Sequence, residues 1–224
     1  MELIQIQAAD RHLLEGIAAT MAESARLSGD WLVCRPGCTE CCMGPFGITR
    51  LDELRLKEGL SLLETADPPR AAAVRARAAE YVAAIAAQFP GDLESGELLD
   101  EDALPESMED VPCPALDPAT GCCDLYAARP ITCRTFGPAT RAGEGMLAAC
   151  ELCYLGASDE EMERCAVGVD PEGAESRLTE EAGLRGMTIV AFALTSHPAA
   201  STGPSPRPAP GSTARSPLAA ASEG

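Results

Sequence analysis

Apolar residues recur at helical spacing along much of this 224-residue chain. Leu13, Leu14, Ile17, Ala18 and Met21 share one face of a helix predicted over residues 10–28, with Asp10 placed to cap it. A second helix is expected to start at Thr49, to turn Leu51 and Leu54 inward and to end at Gly59. Asp67-Pro68-Pro69 opens a third, because proline suits a first turn and the alanine-rich sequence propagates to about Phe89. Val74, Ala78, Tyr81, Val82, Ile85 and Phe89 form its apolar stripe, which reads as core. Ser158-Asp-Glu-Glu161 is a capping box before a short helix carrying Met162 and Cys165, the latter read as a core thiol. Residues 171–195 suggest two more helices, although the run Thr188 to Phe192 also suits a buried strand.

Between these segments the pattern breaks down in two places. Residues 91–110 are acidic and read as a solvated connection; no Asp-x-Asp-x-Asp-Gly pattern marks them as a calcium loop. From Ser196 onward Pro, Ser, Ala and Gly dominate, a composition that buries too little apolar surface to order itself. The expected fold is mainly α: helices around irregular cysteine-rich loops, with a short strand pair and a disordered C-terminal tail. The expected division is 1–29, an N-terminal helix packing on the main domain; 30–195, a cysteine-cluster metal-binding domain; and 196–224, the tail.

Charge narrows the function. A net charge of −18 repels phosphate backbones, so nucleic acid is excluded as a partner. The longest apolar run, Met187 to Thr195, is too short to span a membrane. The first residues have neither the basic start nor the apolar length of a secretion signal, so a cytoplasmic setting is expected. There, eleven cysteines imply metal or redox chemistry rather than disulfides. His12 reads as a surface residue and His197 falls in the tail, so hydrolytic triads are disfavoured. Lys57, the only lysine, reads as an exposed helix residue.

The cysteines fall in two fields. The first is Cys34-Arg-Pro-Gly-Cys38-Thr-Glu-Cys41-Cys42, behind the only tryptophan, Trp31. The second runs from Cys113 through Cys122-Cys123 and Cys133 to Cys150-Glu-Leu-Cys153. Soft thiolates at such spacings suit zinc or an iron–sulfur cluster. Adjacent cysteines on an extended backbone face opposite ways, which favours a polynuclear site or two neighbouring sites over one isolated ion. Arg129 and Arg134 bracket Cys133, where they would offset thiolate charge from just outside the ligand set. The two fields are expected to form one metal-bearing centre in which Cys38, Cys41, Cys42, Cys113, Cys123, Cys133 and Cys150 converge.

The order Cys34…Cys38-x-x-Cys41-Cys42, Cys113-Pro, Cys123-x-Leu-Tyr126-x-x-Arg129-Pro130-x-x-Cys133-Arg134, then Cys150, resembles the cysteine-cluster family named for its CxxCxxCC motif. The likeness runs from about Trp31 to Cys153 and implies zinc or iron chelation by Cys34, Cys38, Cys41, Cys42, Cys113, Cys123, Cys133 and Cys150. Cys122, Cys153 and Cys165 are additional. This chain departs from the motif in placing three residues between Cys34 and Cys38, where the family has two. A related domain occurs in flagellin lysine methylases, so an iron–sulfur redox or methyl-transfer-related enzyme is one alternative. A zinc-stapled interaction protein is another. The spacing Cys34-x3-Cys38-x2-Cys41 also matches radical S-adenosylmethionine enzymes, but Glu40 and the lack of a barrel pattern speak against that. The sequence names no catalytic residue, substrate or reaction.

Overall fold

The computed structural model describes residues 3–142, 146–170 and 172–195. Among them, seven α-helices and short strands make a mainly α protein, as the periodicity predicts. The expected tail, with His197, lies outside the described residues. Helix α1 (Leu3–Ser28) begins well before Asp10, so Asp10 does not cap it. Its buried face is Ile6, Asp10, Ile17, Met21, Ser24 and Ser28, while Ala18 and His12 are exposed. Half of that stripe is polar, and each polar member has a distant partner. Asp10 accepts from Arg55, Ser24 shares its one hydroxyl proton between the carbonyls of Ala139 (3.0 Å) and Cys165 (2.9 Å), and Ser28 hydrogen-bonds the Tyr154 hydroxyl.

Helix α2 (Arg50–Ala66) starts where expected, the Thr49 hydroxyl accepting from the Asp52 amide at 3.1 Å. It does not stop at Gly59. That glycine is needed for close approach: a Cβ there would stand 2.3 Å from the Ala128 Cβ. Lys57 is half-buried rather than exposed, paired with Glu53 at 2.7 Å. Helix α3 (Pro68–Ile85) is capped by Asp67, which accepts from the Arg70 amide. The stretch that fitted both strand and helix is both: β9 (Met187–Ile189) runs into α7 (Val190–Leu194). Helices α2, α3 and α7 pack on one another through Leu56, Leu60, Val74, Ala78 and Leu194. Each buried aliphatic of this kind contributes about 2 kcal/mol.

Strand β9 also organises the main sheet, whose order is β1 (Gly47–Thr49), β9, β3 (Glu97–Leu98), β2 (Gly91–Asp92), antiparallel throughout. The acidic stretch is therefore not simply a solvated connection. It supplies two strands, and Leu98 and Met108 enter a core with Tyr81, Ile85, Phe89 and Phe192. Two short strands, β4 (Leu116–Asp117) and β5 (Cys122–Cys123), pair in the second cysteine field. A third sheet is ordered β7 (Met146–Ala148), β6 (Thr140–Ala142), β8 (Val167–Gly168). Helix α5 (Asp159–Cys165) carries the expected capping box.

Helix α1 packs on α4 (Ile131–Thr135), α5 and α6 (Ala174–Ala182). A buried charge network ties three of these elements to α2. The Arg55 guanidinium sits between Asp10 and Asp52, with Glu175 at 3.5 Å, and Asp52 also accepts from the Ile131 amide at 3.0 Å. Burial works against the Arg55 charge, but the surrounding carboxylates outweigh it and raise its pKa. Glu175 is raised by burial and by repulsion from Asp52. Among the described residues, no helix is long and apolar enough to cross a membrane.

Candidate metal centre

The first cysteine field is a chain of tight turns. Cys38 donates its amide to the Arg35 carbonyl (3.0 Å), with Gly37 at φ +87°, and a 3-10 turn spans Glu40–Cys42. The chain then meets the second field through its backbone: the Cys113 amide donates to the Cys42 carbonyl at 2.7 Å and the Gly44 amide to the Val111 carbonyl at 3.0 Å. The second field is in turn fastened to the helices. Leu125 enters the α2–α3–α7 core, and Ala128 presses on Gly59. The Asp124 side chain, 1% exposed, is clamped by Arg70 (2.5 Å) and Arg77 (2.6 Å) of α3, and Arg77 also holds the Pro114 carbonyl at 2.9 Å.

The thiols expected to converge divide into two groups, each drawing on both fields. Cys41, Cys42, Cys113, Cys123 and Cys133 act most strongly on one another. The Cys41 and Cys42 sulfurs lie 3.9 Å apart. A hydrogen bond from the Cys42 thiol, helped by its own amide and the charge of Arg129, lowers the Cys41 pKa to about 6 despite burial. Cys42 is raised by the same pairing, by burial and by repulsion from Cys41, Cys113 and Cys123. Burial pushes Cys113 up to about 12 against the amides of Ala115 and Leu116. Cys123 is raised by burial against the Leu125 amide and Arg129, and Cys133 by burial and by Cys113, Cys41 and Cys123.

Cys34, Cys38, Cys150 and Cys153 form the other group. As a residue Cys34 is exposed, but its sulfur turns in toward Gly137 and lies 4.0 Å from that of Cys153. A Cβ at Gly137 would come within 2.8 Å of it. Burial, then the charges of Cys153, Cys150 and Cys38, push Cys34 up to about 12. Cys150 is raised by burial against the Leu152 amide, with Cys153 and Cys38 as neighbours. One local device recurs in both groups: the amide two residues on favours the thiolate at Cys113, Cys123 and Cys150.

Sequence reasoning treated Cys153 as additional, yet it joins the second group; its signal was the Cys150-x2-Cys153 spacing. Cys122 stands apart, its thiol directed at the Thr120 carbonyl at 3.7 Å, and Cys165 is a core thiol donating to the Leu27 carbonyl at 3.4 Å. Arg129 stacks 3.6 Å above the Tyr126 ring, and its charge favours thiolates at Cys41, Cys123 and Cys133. Arg134 touches carbonyls instead, donating to Arg129 at 2.8 Å and to Ala127, and so shapes the turn before Cys133.

The donors suit a thiophilic metal. Four sulfurs about 2.3 Å from one zinc stand about 3.8 Å from each other, close to the 3.9 Å and 4.0 Å of the two observed sulfur pairs. Among the described residues, no three His, Cys, Asp or Glu side chains are close enough to hold an ion without moving. Turning a cysteine between staggered rotamers carries its sulfur about 3 Å.

Comparison with curated proteins and with solved structures finds no match for the chain. A family model matches residues 33–154, which span every thiol of both groups. With more than half its length matched, the chain belongs to the CxxCxxCC family, described as a "Putative zinc- or iron-chelating domain".

Proposed function

We propose that this protein chelates zinc or iron in two neighbouring all-sulfur sites. One is built from Cys41, Cys42, Cys113, Cys123 and Cys133, the other from Cys34, Cys38, Cys150 and Cys153. The observation that supports this reading is the pair of close sulfur contacts, Cys41–Cys42 at 3.9 Å and Cys34–Cys153 at 4.0 Å, with amides favouring thiolates at Cys113, Cys123 and Cys150 around them. Four thiolates close a tetrahedral ion and leave no position for substrate, so binding rather than catalysis is the role assigned to the second group. Five thiols exceed the needs of one tetrahedral ion. Arg129 and the amides supply the compensation that excess thiolate charge requires.

Anaerobic purification followed by elemental analysis and an optical spectrum tests the proposal. Zinc in a colourless protein, or iron and sulfide with charge-transfer bands, supports it and identifies the metal. A chain that carries neither, and takes up neither after reduction and reconstitution, refutes it.

A further inference from the structure

Tyr81 is buried at 5% exposure, and its hydroxyl is the only buried side-chain oxygen or nitrogen among the described residues without a hydrogen-bond partner. An orphaned hydroxyl in a core costs about 1–3 kcal/mol, and phenylalanine would fill the same space without that cost. Tyr81 lines a cavity of about 10 Å3, which also meets Cys113 and is otherwise walled by Gly44, Pro45, Phe46, Pro114 and residues of β9 and α7. That volume is about one water molecule's worth, but a buried water needs two to four polar partners and these walls are largely apolar. Cys113 is the one residue besides Tyr81 lining this void whose side chain carries a hydrogen-bonding atom. Their proximity also registers electrostatically, since a charge on Cys113 acts on the Tyr81 hydroxyl.

We propose that Tyr81 is a positioning residue for the first metal site: its hydroxyl donates a hydrogen bond to the Cys113 thiolate once a metal has taken the place of the thiol proton. This rests on the metal-chelating reading of that group. A neutral Cys113 thiol gives Tyr81 a weak acceptor, whereas a metal-bound thiolate is a strong one, set in a low-dielectric pocket where a charge-assisted bond counts most. The void that both residues line gives the two side chains room to meet. The Ala115 and Leu116 amides approach Cys113 from its own turn, and Tyr81 adds a donor from helix α3. The helical core thus reaches the metal through one hydrogen bond. Donors of this kind outside the ligand set are worth about ten- to a hundred-fold in metal affinity.

The test uses the full-length protein loaded with cobalt(II), whose sulfur-to-metal charge-transfer band reports the donor strength of the thiolates. Tyr81→Phe keeps the ring and removes only the hydroxyl. Its expected effects are a red-shifted band, because a sulfur without its donor gives up charge more easily, and affinity lower by about ten-fold in competition with a chromophoric chelator. Phe89→Leu loosens the same core without facing the sulfur, so it should leave the band in place. An unchanged band and affinity in Tyr81→Phe, with wild-type cobalt uptake intact, overturns the hydrogen bond while leaving the metal site standing. A shift of equal size in Phe89→Leu also overturns it, because the effect would then come from packing. Failure of the wild-type chain to bind cobalt or zinc at all removes the metal reading itself, and the proposal with it.

Discussion

The two cysteine groups lie side by side but are supported differently. The Cys41–Cys42–Cys113–Cys123–Cys133 group rests on the main helical core: Cys113 and Cys123 pack against the cluster that holds Leu56, Leu60 and Val74, and α3 grips the loop through Arg70 and Arg77. Arg129 adds positive charge. The Cys34–Cys38–Cys150–Cys153 group sits on a small separate core of Ala139, Tyr154, Cys165 and Ala166, reached from α1 by Ser24 and Ser28. Arg129 thus bears on thiols of the first group, whereas the core under the second is tied to α1 by the neutral hydrogen bonds of Ser24 and Ser28. The first should be the more sensitive to charge changes, and the second to loss of neutral hydrogen bonds.

The largest expected effect comes from removing a ligand on one side only. Cys133→Ser should strip metal from the first group and leave the second loaded, and Cys150→Ser should do the reverse, as read by metal per chain. If either substitution empties both, the groups form one site and the comparison fails. Next is the anchor of the first group. Asp124→Asn leaves two arginines facing a neutral amide; since both reach solvent, the cost is about 1–3 kcal/mol. Amide exchange should rise around Cys113 and Cys123 and stay unchanged around Cys150.

Ser24→Ala is the matching test of the second group. The carbonyls of Ala139 and Cys165 lose the one hydroxyl proton they share, while Ala139 keeps the Val167 amide, at about 1–2 kcal/mol. Faster exchange should then appear around Gly137 and Cys150 only. The smallest effect is a titration. In the metal-free protein the lowered Cys41 pKa means that its thiolate, and the stability it adds, is fully present above the ordinary thiol value of 9.0 and is lost as pH falls through about 6. Alkylation against pH should show a half-point near that value. Arg129→Gln should move it upward, and Cys42→Ala should move it further because the hydrogen bond from Cys42 is the larger influence.

Local signals were legible wherever the chemistry is local. Thr49, Asp67 and Ser158 cap helices because a cap needs only the next three residues. Gly59 and Asp10 were misread for the opposite reason: one is glycine because Ala128 comes against it, the other is buried because Arg55 waits across an interface. The vicinal cysteines show the same divide. On an extended strand, Cys122 turns away while Cys123 packs on the core, as alternation dictates. In the 3-10 turn at Glu40–Cys42 the neighbouring sulfurs come within 3.9 Å, because the backbone there is not extended.

By itself, then, the sequence determined the mainly helical class, the helix starts at Thr49, Asp67 and Ser158, and the thiol-rich composition of the two fields, all of which follow from periodicity, capping and residue type over a few neighbouring positions. Only the tertiary structure decided which thiols are neighbours. Cys34 and Cys38 go with Cys150 and Cys153, while Cys41 and Cys42 go with Cys113, Cys123 and Cys133. That partition depends on the Cys42–Cys113 backbone bond, the Asp124 clamp and the Gly137 contact. Each joins residues far apart in the chain, and spacing along a sequence does not encode which distant segments come to lie together.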